Sequence, residues 1–248
     1  MNLGNNKVLI TGGGSGIGLA LAKLFTDAGS EVLITGRNEA KLIKACEGVE
    51  RLSYHVADVT KQEDIESLKA RIKGVGGLNL LINNAGVFIH KDYSKDILNT
   101  EELVREIDIN YGGPVRMVDA FLPILSESKN PAIVNVSSGL AFVPLTAAPV
   151  YCGTKAALHS WTQSLRFQLS TKNIKVFELM PPLVATEMTK QYKEFKPIST
   201  DEFVTGFKKA FEKDTLEIVV GQSKGLRMMS RMAPKFIFKQ LNKTFASK

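Results

Sequence analysis

The stretch 7–18, Lys7-Val8-Leu9-Ile10-Thr11-Gly12-Gly13-Gly14-Ser15-Gly16-Ile17-Gly18, joins an almost continuous apolar run to a turn carrying five glycines. An apolar run without alternation reads as a strand buried on both faces, the environment of a parallel sheet covered by helices. Residues 16–28 follow, with Ile17, Ala20, Leu21, Leu24 and Phe25 on one helical face and Gly29 as its stop. A strand, a glycine turn and a helix in that order place backbone N–H groups and the positive helix end where a pyrophosphate can be held. Side chains in the turn would block that approach. A merely tight strand-to-helix turn is the alternative for the motif taken alone.

Outward from this unit the same rhythm repeats. Short apolar runs at 31–35 (EVLIT), 51–56 (RLSYHV), 78–82 (LNLLI), 132–136 (AIVNV), 175–179 (KVFEL) and 216–220 (LEIVV) read as further strands. Helical stretches at 39–45, 60–73, 101–126 and 154–168 separate them, with Thr60 and Glu63 forming a candidate capping box. The expected fold is α/β, a Rossmann-type, doubly wound, mostly parallel seven-stranded sheet with helices on both faces. Residues 1–223 are expected to form one dinucleotide-binding catalytic domain, with 187–215 covering the substrate.

The formal net charge of +7 is local. Residues 224–248 hold seven Lys/Arg and no Asp/Glu, while the other 223 residues balance at 25 of each sign. A nucleic-acid binder, suggested by a basic average, is therefore disfavoured. Arg227, Arg231, Lys235, Lys239 and Lys243 recur at helical spacing, and Pro234 divides the segment. Such a basic amphipathic tail can rest on an anionic membrane or an acidic partner, or pack its apolar side on the body or on a second subunit. Cys46 and Cys152 have no zinc-type spacing, and His55, His90 and His159 are scattered, so no metal is expected. The first residues lack a signal-peptide pattern, and no run approaches the length of a membrane span. A cytoplasmic protein is expected, with peripheral membrane contact left open.

The chemistry-bearing residues fall at strand ends, where ligands of open parallel sheets bind. Strand two ends in Gly36-Arg37-Asn38. An acid there would accept from the ribose hydroxyls of NAD, whereas Arg37 can pair with a 2′-phosphate, so NADP(H) is favoured over NAD(H); a solvent-facing arginine is the alternative. Asp58 ends strand three and can meet an adenine amino group or cap the next helix. Asn83-Asn84-Ala85-Gly86 ends strand four, and Ser137-Ser138-Gly139 ends strand five. Tyr151 and Lys155 lie four apart on a helix, so their tips can approach. A neighbouring ammonium is expected to lower the phenol's pKa and make it a usable proton carrier, with Ser138 holding the reacting oxygen.

These motifs together resemble the classical short-chain dehydrogenase/reductase family: TGGGSGIG (11–18), NNAG (83–86), Asn110 in DINYGG, Ser138 in NVSSG, YCGTK (151–155) and PPLVAT (181–186), in family order across 7–221. The resemblance implies a catalytic tetrad of Asn110, Ser138, Tyr151 and Lys155. It implies cofactor contacts from Gly12, Gly14, Ser15, Gly16, Ile17, Gly18, Arg37, Asn38, Asp58, Val59, Asn84, Ala85, Gly86, Tyr151, Lys155, Pro181 and Thr186. Pro181-Pro182 departs from the family's usual Pro-Gly. Within the family, the GRN turn, the segment 151–169 and the proline pair are most similar to DltE-type oxidoreductases.

The implied activity is hydride transfer between NADP(H) and a moderately apolar carbonyl or alcohol, with tyrosine as general acid/base. A nucleotide-responsive scaffold or membrane-associated accessory protein is the alternative. A homo-oligomer, a dimer before a tetramer, is implied through the helices at 101–126 and 154–170. Met188, Tyr192, Phe195, Phe203, Phe207 and Phe211, with Phe142, Val143, Leu145 and Trp161, are candidates for the substrate pocket or for the core.

Overall fold

A computed structural model describes residues 1–94 and 99–246. Its strands are β1 (Lys7–Thr11), β2 (Glu31–Gly36), β3 (Leu52–Val56), β4 (Leu80–Asn83), β5 (Ala132–Val136), β6 (Lys175–Met180) and β7 (Glu217–Val219). All pair in parallel, in the order β3-β2-β1-β4-β5-β6-β7. The order reverses between β1 and β4, which opens a crevice beyond their carboxyl ends. The glycine turn leaves β1 there, and NNAG leaves β4.

The apolar runs split by period two onto the sheet's two faces. Val8, Ile10, Val32, Ile34, Leu80 and Ile82 face one core, which contains Leu21, Phe25, Phe203, Phe207 and Phe211. Leu9, Leu33, Leu81 and Ile133 face the other, with Ile65, Leu68, Phe121, Leu125 and Leu165. Each large side chain so buried stabilises the fold by roughly 1.5–3 kcal/mol relative to exposure. Two filled faces are the reason the runs do not alternate.

Helices α1 (Gly16–Asp27), α2 (Glu39–Cys46) and α3 (Gln62–Gly74) connect the first strands. On α1 the buried residues are Gly18, Leu21, Ala22, Phe25 and Thr26, while Ile17, Ala20 and Leu24 are only half-buried. The expected face is therefore inward, with Leu21 and Phe25 buried and Ile17 and Leu24 packed against the same core, and Gly18, Ala22 and Thr26 extend it. Phe25 meets Phe207 and Phe211 edge-on at its centre, at centroid distances of 6.2 and 5.7 Å. The capping box expected at Thr60 does not form. Lys61 precedes α3 without a side-chain cap, and Thr60 instead donates to Asp58 through its backbone N–H and its hydroxyl.

The long helix expected over 101–126 is two helices, α4 (Thr100–Ile107) and α5 (Gly113–Ser126), joined by a π turn at Asp108–Gly112. Arg116 Nη2 reaches back over that turn to Asp108 Oδ1 at 2.6 Å. α6 spans Pro149–Leu169, α7 spans Thr200–Glu212, α8 spans Ser223–Met232 and α9 spans Pro234–Ala246. Pro234 separates α8 from α9, forcing Ala233 to the non-helical φ −147°, ψ 63°. α9 is fastened to the body by Asn242, which accepts from Thr146 N at 2.6 Å and donates to Pro144 O at 3.0 Å. Among the described residues no helix is long and apolar enough to cross a membrane.

Candidate active site

A cavity of about 570 Å³ opens at the β1/β4 crevice and runs from Gly12, Ser15 and Gly16, past Tyr151 and Lys155, to Leu226, Ile237 and Leu241. Its nucleotide end is built by a short backbone stitch. Thr11 Oγ1 accepts from Asn84 N and Ala85 N, each at 3.0 Å, and Asn84 Nδ2 donates to the carbonyls of Thr11 and Gly12. Gly12 has φ +65°, and a Cβ on it would lie 2.8 Å from Ala85 Cα, so only glycine fits. Ser15 precedes α1 with extended backbone and no side-chain cap, leaving the first N–H groups of the helix to an outside acceptor. That donor set and the cleared backbone fit a pyrophosphate.

Arg37 follows β2 directly. Its Nη1 stands 3.8 Å from Asp58 Oδ2, and its side chain is 45% exposed. Asn38 caps α2 by accepting from Lys41 N. Asp58 is partly occupied by its own turn, through Thr60, and Val59 is buried. Thr186 and Pro181 line the central cavity with Ile17, Asn84, Ala85 and Gly86. Lys41 Nζ bonds Glu187 Oε2 at 2.8 Å, joining α2 to the segment just past Thr186.

Ser138, Tyr151 and Lys155 all line this cavity. Lys155, 4% exposed, donates to Val136 O at 2.8 Å and stands 5.6 Å from the Tyr151 ring centre. Burial lowers its pKa from 10.5 to about 8, with the carboxylates of Glu106 and Glu178 pulling it back up. The Tyr151 phenol moves opposite to expectation. Burial pushes it well above its usual value, with Ser138 opposing and Glu106 and Cys152 adding to the rise. Desolvation is the largest cause of the rise, and the Lys155 ammonium over the ring does not reverse it. At neutral pH the phenol is therefore a proton donor.

Asn110 sits in the π turn, a distortion common at working sites. It is fully buried, accepts from Val87 N at 2.8 Å, and donates to Val87 O at 2.9 Å and Thr154 Oγ1 at 3.3 Å. A Cβ on Gly86 would lie 3.2 Å from Asn110 Oδ1 and 3.8 Å from Lys155 Nζ, so the β4 exit passes between these two residues.

The sequence reading overlooked two buried acids. Glu106, one turn before Asn110, is fully buried, and its Oε1 accepts from Ile89 N at 3.0 Å. Its Oε2 has no partner, and burial raises its pKa. Glu178 on β6 is also fully buried and binds Ser137 Oγ at 2.5 Å and His159 Nδ1 at 2.8 Å. Hydrogen bonding to Glu178 raises the pKa of His159. A glutamate inside KVFEL, an otherwise strand-like buried run, was the visible signal.

Of the pocket candidates, Met188, Tyr192, Phe195 and Leu145 line the cavity. Phe203, Phe207 and Phe211 do not; they are fully buried core on α7, against α1 and Phe177. Val143 is buried, Trp161 packs edge-on to Tyr111 against the opposite core, and Phe142 meets His159 and Arg227. Phe88 was missed: its ring centre is 4.7 Å from that of Tyr151. Leu226, Ile237 and Leu241 of the basic tail were also missed as cavity wall.

The sheet order, the glycine turn at its reversal and a Tyr-x-x-x-Lys helix define a class, and residues 6–197 match the short chain dehydrogenase family model. The chain belongs to the short-chain dehydrogenase family, and it is an NAD(P)(H)-dependent oxidoreductase of that family. It is 39% identical over 251 residues to an uncharacterized oxidoreductase, DltE, of Bacillus subtilis (strain 168), with 98% of each chain covered. A short chain dehydrogenase from Burkholderia cenocepacia J2315, solved in complex with NADP, matches at TM-score 0.86 and 26% identity, covering 97% of this chain and 99% of that one. A 3-ketoacyl-(acyl-carrier-protein) reductase from Brucella melitensis, complexed with NADH, shares the fold at TM-score 0.81 and 24% identity, covering 89% and 99%. Both kinds of dinucleotide occur on this fold, so the fold alone does not choose between them.

Proposed function

We propose that the protein is an NADPH-dependent reductase of apolar carbonyl compounds, with Tyr151 as the proton donor. The observation that carries this is a single cavity that places the Tyr151 phenol between a pyrophosphate-fitting turn and an apolar wall. The nicotinamide supplies hydride when bound. Gly12, Gly14, Ser15, Gly16, Ile17 and Gly18 hold the pyrophosphate, Asp58 and Val59 border the adenine, and Asn84, Ala85 and Gly86 border the adenosine. Lys155 would hold the nicotinamide ribose, Pro181 and Thr186 would border the nicotinamide half, and Ser138 would hold the substrate oxygen. Asn110 supports the proton path by fixing Val87 and Thr154. Arg37, beside Asn38, favours a 2′-phosphate because its fork pairs with a dianion that an acid would repel.

The substrate end is lined by Phe88, Leu145, Met188, Tyr192, Phe195 and Leu226, which suits an aromatic or branched ketone or aldehyde. Purified protein is to be screened for NADPH oxidation with ketones, aldehydes and quinones beside Tyr151→Phe. A general acid contributes roughly 10²–10⁴-fold, so the variant should lose about that much turnover while still binding NADPH. Equal turnover in the two proteins rejects the role.

We also infer a homodimer in the cytoplasm, formed through α4, α5 and α6. The exposed apolar side chains of Val104, Ile107 and Phe167 support it, since oligomer faces bury such residues. Residues 224–248 give the chain a further capacity, contact with an acidic surface.

A further inference from the structure

A second cleft, of about 750 Å³, lies on the far side of α8 from the active-site cavity, between α7, β7 and α8. Five cations line it: Lys209 from α7, Lys213 just after it, and Lys224, Arg227 and Arg231 from α8. The carboxylate on its wall, Glu217, is neutralised by Arg227 and by Arg166 Nη1 at 3.5 Å. Lys209, Lys213, Lys224 and Arg231 are exposed and form no ion pair among the described residues. Four uncompensated cations around one concave surface are self-repelling, and an anion relieves that repulsion.

Residues 224, 227, 228, 231 and 232 follow helical spacing along one stripe of α8, so Met228 and Met232 share the cleft with the cations. Met228 is 56% exposed and Met232 74%; beyond Pro234, Phe236 is 62% exposed and Phe238 41%. A soluble anion has no use for these apolar groups. A surface presenting anionic headgroups over acyl chains uses both kinds, cations at the headgroups and Met and Phe at the boundary below. The other side of α8 belongs to the active site: Ser223 and Leu226 line that cavity, and Ser223 Oγ donates to Pro181 O at 2.9 Å.

We propose that the cleft lined by Lys209, Lys213, Lys224, Arg227 and Arg231, with Met228 and Met232, docks the protein on an anionic phospholipid surface. α8 is then the partition between that surface and the active-site cavity, one helix diameter of roughly 10 Å in thickness. This docking is independent of the reaction and survives if the carbonyl assignment is wrong.

The test is co-sedimentation of the full chain with vesicles of phosphatidylglycerol and phosphatidylcholine, beside vesicles of phosphatidylcholine alone. Binding is expected only with phosphatidylglycerol and should weaken as salt is raised. Each basic residue near such a surface is worth roughly fivefold in affinity, so the double variant Lys224→Gln/Arg231→Gln should bind roughly 25-fold more weakly. Lys209→Gln/Lys213→Gln, on and just after a different helix, should do the same, and Met228→Ser/Met232→Ser should weaken binding without changing its salt dependence. Unchanged NADPH fluorescence on binding confirms that each variant is folded. No binding to phosphatidylglycerol vesicles, or equal binding to both vesicle types, overturns the proposal. Binding of inorganic pyrophosphate that is lost in Lys224→Gln/Arg231→Gln but insensitive to the Met substitutions, with vesicle binding equally insensitive to the Met substitutions, overturns it in favour of a soluble anion.

Discussion

The Nζ of Lys155 lies 5.6 Å from the centre of the Tyr151 ring and donates to the Val136 carbonyl at 2.8 Å. The ammonium therefore sits over the phenol's face, anchored to the end of β5. Tyr151 keeps its proton at neutral pH through burial, while the same burial weakens the proton on Lys155. Burial favours the neutral form of both, so their pKa values move apart, and Glu106 and Glu178 oppose the loss of charge on the amine.

Because the pKa of Lys155 is lowered to about 8, the protonated fraction halves near that pH. Turnover in reduction should fall as pH rises through about 8, and Lys155→Arg, which stays charged, should remove that limb even if its overall rate is low. Stability moves the other way. Between about 8 and 10.5 the unfolded chain binds more protons at this residue than the folded one, so the Lys155 contribution to stability improves as pH rises across that window. Lys155→Met should flatten this rise in a series of denaturant midpoints. A kcat profile without a limb near 8 contradicts the assignment.

Glu106 is the opposite case. Its pKa is raised above 4.5 by burial, so the folded state holds the proton more tightly, and stability is lost as pH climbs through the raised value. Glu106→Gln keeps an acceptor for Ile89 N and removes the ionisation. Its melting temperature relative to the parent should therefore improve from pH 4 upward, while Lys155, deprived of a supporting carboxylate, should titrate lower and shift the kcat limb to lower pH. Glu106→Ala also strands the Ile89 N–H and should cost about 1–3 kcal/mol in urea unfolding. A melting-temperature difference independent of pH would show that the buried carboxyl does not titrate as its surroundings dictate.

Arg37 tests the cofactor choice. Charge-assisted hydrogen bonds contribute roughly 1.5–3 kcal/mol, which corresponds to about 10–100-fold in affinity. Arg37→Asp should raise KM for NADPH by that factor and leave KM for NADH unchanged or lower. Equal changes for both dinucleotides would remove the argument for a phosphate contact at this position.

The sheet was legible because both of its faces are filled, making runs such as KVLIT apolar without interruption, and each strand falls within about two residues of its expectation. The glycine turn was legible because a Cβ at Gly12 has no room. Helix details were less so. The burial of Gly18, Ala22 and Thr26 on α1 accompanies ring contacts from Phe25 to Phe207 and Phe211, far along the chain, and the π turn under Asn110 comes with bonds to Val87 across the crevice. Neither long-range partner leaves a local pattern. The pKa of Tyr151 was misjudged for a related reason: helical spacing shows that Lys155 is near, but says nothing of how far both are desolvated.

The aromatic residues after β6 separate into pocket and core by where they pack, and the separation is measurable. Phe207 is fully buried, stacked on Phe211 at 5.1 Å. Phe207→Ala should cost about 3–5 kcal/mol in unfolding free energy, through lost burial and the cavity left behind, with little change in KM. Met188 is 48% exposed and lines the active-site cavity. Met188→Ala should change stability by no more than about 0.5 kcal/mol, as surface substitutions do, and raise KM for the apolar substrate by roughly 10-fold. If Met188→Ala instead destabilises the fold and leaves KM untouched, the segment after Thr186 is a structural strap and the substrate must be held by the wall from Leu226 to Leu241.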